Sequence, residues 1–292
     1  METRELSRAP RLLPLYARAA VPKRRGRPAV PRPAVPERRL VLPAVRPDPA
    51  RLRRYAAVCG FPDDGRLPAT YPHVVAFPLA MSLMAARDFP FPLLGLVHVA
   101  NRVERLRPVD AGERLTYVVA TGPAEPHPRG TAFTVTAQAR AGGETVWRSA
   151  STYLSRGPGT GEAGAQQEAP DLTVPSRQEN WPLPGSLGRS YAASSGDRNP
   201  IHLHPLAARP FGFRRAIAHG MWTKARCLAA LAADLPGAYA AEVAFRAPVL
   251  LPATVRFRAE RAEHAGAGWA FDVRAADGTR EHLRGAVSPL GG

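Results

Sequence analysis

Alternating apolar and polar positions mark three stretches of the first half, 115–121, 131–139 and 145–155, as half-buried strands. Two helices are predicted ahead of them. Asp48-Pro49 offers an N-cap carboxylate and then proline, which a first helical position tolerates. The apolar spacing through Leu52, Tyr55 and Val58 stops at Gly60, a suitable left-handed terminus. A longer apolar helix is expected over 77–87. The same order then repeats. A short helix ends at Gly196, a long apolar helix covers 219–233, and strands follow at 241–246, 254–262, 269–275 and 279–288. Tyr55-Ala56-Ala57-Val58-Cys59-Gly60 corresponds to Tyr191-Ala192-Ala193-Ser194-Ser195-Gly196, and Arg107-Pro108-Val109 to Ala247-Pro248-Val249, at a nearly constant offset. That constancy argues for duplication of one α+β unit, a long helix with a curved antiparallel sheet.

Four segments follow. Residues 1–37 are a Pro/Arg-rich basic arm, expected to be mostly irregular, with the apolar piece 12–15 docking on the body. Residues 38–155 form the first unit, 156–170 a linker flexible by composition, and 171–292 the second unit. The net charge of +16 belongs largely to the arm: residues 1–54 hold 15 of the 40 Lys/Arg against four of the 24 acidic residues. Lys23-Arg24-Arg25-Gly26-Arg27-Pro28 contains the Arg-Gly-Arg-Pro core of a minor-groove hook. A single hook in such an arm is a weak signal, so no specific nucleic-acid partner is expected. Contact with anionic lipid or an acidic carrier protein is the other use for the arm. No stretch approaches the ~18 apolar residues of a membrane span. Cys59 and Cys227, both in helical segments, indicate neither a disulfide framework nor a zinc site. The expectation is a cytoplasmic protein, monomeric or homodimeric.

Chemistry concentrates in Ser195-Gly196-Asp197-Arg198-Asn199-Pro200-Ile201-His202. Turn residues there project a carboxylate and, five positions on, an imidazole from one short irregular stretch. Ala218-His219-Gly220-Met221 opens the second long helix, where glycine permits close approach and first-turn N–H groups point outward. Elimination of water from a β-hydroxy thioester needs three such parts. His202 suits removal of the proton alpha to the carbonyl, and Asp197, in protonated form, suits donation to the leaving hydroxyl. The Gly220 N–H suits the carbonyl oxygen as it gains charge. No metal or organic cofactor is required. Asn199 is expected to hold the turn and His219 to support the site. Arg209, Arg214 and Arg215 are candidates for phosphate of coenzyme A or a carrier, with solvated loop arginines the commoner alternative, and Phe77, Met81, Met84 and Phe89 are candidates for an acyl tunnel or, equally, for ordinary core.

Ser-Gly-Asp-x-Asn-Pro-Ile-His, followed by Ala-His-Gly-Met, resembles the hydratase-2 motif of MaoC-like dehydratases. From about Arg38 onward the chain is similar to actinobacterial double-hotdog 3-hydroxyacyl-thioester dehydratases. The supporting strings are Leu67-Pro68-Ala69-Thr70-Tyr71-Pro72, Asp88-Phe89-Pro90-Phe91, Phe211-Gly212-Phe213 and Pro248-Val249-Leu250-Leu251-Pro252-Ala253-Thr254. The resemblance implies two hotdogs packed as a pseudo-dimer, with (R)-specific dehydration or hydration of acyl-CoA or acyl-carrier-protein thioesters. It also implies one working site, in the C-terminal unit, and an acyl tunnel shaped by a degenerate N-terminal unit. In the first unit Phe77-Pro78-Leu79 stands where His219-Gly220-Met221 would be. His204 replaces an Asp common in the family, and the helix after Gly220 reads Trp222-Thr223-Lys224, without the serine that supports the matching Asp in some relatives. A non-catalytic acyl-thioester-binding protein and a nucleic-acid-binding protein acting through the arm remain as alternatives.

Overall fold

A computed structural model of the chain describes residues 2–20, 34–159, 171–262 and 268–291. The first half contains β1 (Glu2–Glu5), α1 (Leu12–Ala20), β2 (Arg38–Val45), α2 (Pro49–Cys59), α3 (Tyr71–Met84), β3 (Leu96–Arg105), β4 (Leu115–His127), β5 (Gly130–Ala141) and β6 (Glu144–Arg156). The second contains β7 (Arg177–Leu183), α4 (Leu187–Ser195), α5 (Pro200–Leu203), α6 (Pro205–Ala208), α7 (Gly220–Ala230), β8 (Tyr239–Phe245), β9 (Ala253–Ala262), β10 (Gly268–Ala275) and β11 (Glu281–Pro289).

These strands form one sheet in the order β1-β2-β4-β5-β6-β3-β8-β11-β10-β9-β7. From the centre outward, β3-β6-β5-β4-β2 and β8-β11-β10-β9-β7 have the same connectivity. The two halves meet where β3 pairs antiparallel with β8, Arg102 opposite Glu242. One long helix, α3, packs on β4 and β5. Its counterpart α7 reaches both central strands through Lys224. The architecture is a double hotdog.

Local chemistry accounts for most elements. The Asp48 carboxylate accepts the Arg51 N–H at 2.9 Å and Gly60 closes α2 at φ 81°. Helix α3 begins earlier than its apolar run suggested, at Tyr71 with Pro72 in its first turn, and it passes through Pro78. Being buried on almost every side, it shows no amphipathic stripe from which to read its start. Strands β2, β3 and β7 were not expected. In β3, polar Asn101 is turned into the core, where its amide donates to Ser149 and Ser151 hydroxyls at 3.0 Å each, so the usual alternation is obscured.

The arm also differs from expectation. Residues 2–20 are not irregular: β1 pairs parallel with β2 and 12–20 form helix α1, although the apolar piece docks as expected, α1 packing against α3 with Leu15 buried. The hook residues Lys23-Arg24-Arg25-Gly26-Arg27-Pro28 and linker residues 160–170 lie outside the described residues.

Lys224 is fully buried. Its ammonium donates to the Asn101 carbonyl at 3.0 Å, the Asn101 amide oxygen at 2.6 Å and the Ala241 carbonyl at 2.8 Å, tying α7 to both central strands. Lys224→Met fills similar volume but orphans these acceptors. Each orphan costs roughly 1–3 kcal/mol, so urea unfolding is expected to register a loss of at least about 2 kcal/mol.

Candidate active site

The reactive turn is held from several directions. Helix α4 ends at Gly196, whose φ of 82° suits glycine, and a Cβ there would lie 2.9 Å from Leu12 of α1. Arg51 of α2 caps the last turn of α4, donating to the Ser194 and Ser195 carbonyls at 2.6 and 2.8 Å. Asn199 caps α5 by accepting the Ile201 N–H at 3.4 Å, and its own N–H donates to Asp197 Oδ1 at 3.1 Å. Gly188 of α4 lies against the His202 carbonyl so closely that no side chain fits.

Within this frame two imidazoles and a carboxylate come together. His202 Nδ1 lies 2.8 Å from the Ile217 carbonyl. A carbonyl only accepts, so Nδ1 carries the hydrogen and Nε2 keeps a lone pair. His219, at the N-cap of α7, donates from Nε2 to the Asp197 carbonyl at 3.0 Å and stacks on His202 with ring centroids 3.7 Å apart. Asp197 Oδ2 lies 3.9 Å from His219 Nε2. Asp197 Oδ1 receives a second hydrogen bond, at 2.7 Å, from the hydroxyl of Tyr16 on α1.

Burial raises the Asp197 carboxyl, but His219, His202, the Tyr16 hydroxyl and the Asn199 N–H outweigh it and hold the group below the ordinary carboxylate range. Asp197 is thereby favoured as a carboxylate at rest and must gain a proton before it can donate one. Burial also lowers His202, against the opposing pull of Asp197, and pushes His219 down to about 3. Both rings rest neutral at neutral pH.

Asp197, His202 and His219 offer ligand-type atoms all within 4.8 Å of one another, a spacing a metal ion could share. One nitrogen of each ring serves a backbone carbonyl, and the two rings stack 25° from parallel.

The pair opens on a cavity of about 380 Å³. Gly220 lines it at the first turn of α7, where a helix supplies no acceptor for its N–H. Phe77, Met81 and Met84 also line it. Phe89 does not; it packs on Phe91 and Phe133 in the core. Arg209, Arg214 and Arg215 stand outside the lining, and Arg215 donates to the Pro252 carbonyl at 3.1 Å. The arginines that reach the cavity are Arg129, Arg156 and Arg246. His204 is exposed and caps α6.

Sequence reasoning missed Tyr16, His73 and His98, all of which line the cavity. For His73 the signal lies in the helix ends, which only the structure gives. Helices α3 and α7 end with the same cap, Ala85 N–H to the Met81 carbonyl and Leu231 N–H to the Cys227 carbonyl. Counting back equally from these ends aligns His219 with His73, not with Phe77. For Tyr16 none existed, since Asp197 is 181 residues away.

A duplicated hotdog carrying one imidazole–carboxylate site defines the class of protein. The MaoC like domain model matches residues 173–279. The chain is 34% identical over 267 residues to 3-hydroxyacyl-thioester dehydratase X of Mycobacterium tuberculosis, covering 90% of this chain and 94% of that one. A crystal structure of HtdX from the same organism matches with a TM-score of 0.74 and 33% identity, over 87% of this chain and 100% of that one. A shorter match, 44% identical over 79 residues, is to 3-hydroxybutyryl-CoA dehydratase of Methylorubrum extorquens, covering 25% of this chain and 49% of that one. The chain belongs to the MaoC-like dehydratase family, and its activity is that of a hydro-lyase.

Gly220 has no room to grow: a Cβ would meet the Phe245 ring at 2.9 Å. Gly220→Ala is expected to cost about 1–3 kcal/mol in thermal or urea unfolding. Adding Phe245→Leu should recover most of that loss.

Proposed function

We propose that the chain removes water from (R)-3-hydroxyacyl thioesters and adds it to trans-2-enoyl thioesters, the acyl group being carried on coenzyme A or an acyl-carrier protein. The observation that carries this reading is that the Asp197 carboxylate and His202, whose Nε2 keeps its lone pair, place ligand-type atoms within 4.8 Å of each other on the wall of a largely apolar cavity beside the first turn of α7. The names of the M. tuberculosis and M. extorquens relatives support the same substrate class.

The resting protonation state sets the order of events. In dehydration His202 Nε2 removes the proton alpha to the carbonyl, and the C–H electron pair moves to the thioester oxygen, which the Gly220 N–H receives. That pair then returns to form the C2–C3 double bond and expels the C3 hydroxyl. The hydroxyl leaves as water, taking through Asp197 Oδ2 the proton that the pair has just acquired. Carboxylate and neutral imidazole are thereby restored. Hydration runs the same path backwards, with Asp197 and His202 activating water and His202 returning the proton to the alpha carbon. The apolar side chains of Phe77, Met81 and Met84 accommodate the acyl chain.

Loss of absorbance on hydration of crotonyl-CoA and longer trans-2-enoyl-CoA substrates tests this directly. Asp197→Asn and His202→Ala should each lower kcat by about 10²- to 10⁴-fold. Wild-type rates in both would end the assignment, and tight acyl-CoA binding without turnover would favour a non-catalytic acyl-binding protein instead.

The active form requires ionised Asp197 and neutral His202, and both groups titrate below their ordinary ranges. Activity should therefore hold down to pH values near the ordinary imidazole pKa of about 6.5 and fall only below it. A limb centred above 7 would contradict this. Met81→Trp, which fills the apolar wall, should reduce long-chain turnover well below crotonyl turnover in the same assay.

A further inference from the structure

We propose that the N-terminal arm completes the active site, with Tyr16 acting as the positioning residue for Asp197. The inference rests on the dyad reading above and assigns a role to a segment outside residues 173–279, the part matched by the family model.

Hydrogen-bond direction carries the argument. The Arg198 N–H donates to the Tyr16 oxygen at 3.1 Å, occupying an acceptor position of that hydroxyl. Its own hydrogen is thereby turned toward Asp197 Oδ1, 2.7 Å away. Oδ1 also receives the Asn199 N–H, so two donors claim this oxygen while Oδ2 is left for chemistry. Burial, reinforced by Asp197, raises Tyr16 far above the ordinary phenol range, so it remains a donor at every working pH.

The arm is anchored independently of this bond. Leu15 is buried, Leu12 covers Gly196 at the end of α4, and β1 continues the sheet beside β2. Tyr16 is thus delivered by a docked helix, and its ring forms part of the cavity wall. It supplies the support for Asp197 that no serine after Gly220 provides. Among the described residues, the side chains that interact with Asp197 by charge or hydrogen bond are Tyr16, His202 and His219, with His73, His98, Tyr153 and Tyr191 feeling its charge from further off. Of these only Tyr16 is both permanently neutral and a side-chain donor to Oδ1.

The test is steady-state hydration of trans-2-enoyl-CoA across pH by the full-length chain. The variants are Tyr16→Phe, Tyr16→Ala, Asp197→Asn and the Tyr16→Phe/Asp197→Asn double variant, with urea unfolding measured on each. Tyr16→Phe keeps the ring packing. It is expected to lower kcat by about 10- to 100-fold with KM within about threefold, since a hydrogen bond to a charged group is lost. The acid limb of the profile should move to higher pH. In the Asp197→Asn background the same change should add less than about twofold, because the two residues act as one unit.

Replacing Tyr16 with 3,5-difluorotyrosine preserves its shape and strengthens the donor, so the acid limb should move to lower pH. Wild-type kcat and an unmoved limb in Tyr16→Phe, with Asp197→Asn impaired, would overturn the proposal and leave the dyad standing. So would losses that multiply in the double variant, or a Tyr16→Ala defect that Tyr16→Phe does not share. Wild-type rates in Asp197→Asn would instead remove the dyad, and this proposal with it.

Discussion

Antiparallel pairing of β3 with β8 turns two copies of a unit into one continuous sheet, and the cavity depends on that junction. Lys224 is its fastening. A lysine ammonium is costly to remove from water, and here carbonyl and amide oxygens from both central strands replace the lost solvation. The junction holds α7, and with it His219 and Gly220, in register with the wall that α3 supplies. An error there would separate the reactive groups from the apolar surface they work beside.

Around that junction the first unit acts as more than a tunnel wall. Arg51 of α2 caps the helix that precedes Asp197, and Trp222 of α7 donates to the Val58 carbonyl of α2 at 2.8 Å. Each contact crosses from one copy to the other and satisfies a backbone group that a helix end would otherwise leave unpaired. The second unit has a turn that presents Asp197 and His202. The first has kept only His73 at the matching helical level, where burial lowers it to about 4.

Burial of several titratable groups in a small volume governs the site's electrostatics. Neutral imidazoles are the inexpensive state in such surroundings, whereas one carboxylate can remain charged if donors surround it. Asp197 meets that condition through Tyr16 and Asn199, and its charge in turn moderates the depression of His202. A neutral imidazole and a carboxylate are therefore both favoured in the same buried site.

Much of this was legible in the chain alone. Turn chemistry from Ser195 to His202, the cap at Asp48, the glycines at 60 and 196 and the repeated strand pattern all act over a few residues. Local rules therefore predicted the duplicated α+β unit and the carboxylate–imidazole turn. Strand β3 was hidden because Asn101 faces inward to meet Lys224, a partner 123 positions away. Phe89 looked like tunnel and became core, since an apolar residue carries no mark of which surface will cover it. The arm looked irregular because its order comes from contacts with α3, α4 and β2 rather than from its own periodicity. Sequence determined which groups could do the chemistry. Tertiary structure decided that Asp197 is a carboxylate and that Tyr16 stands against it, because burial and contacts between distant residues have no local signature.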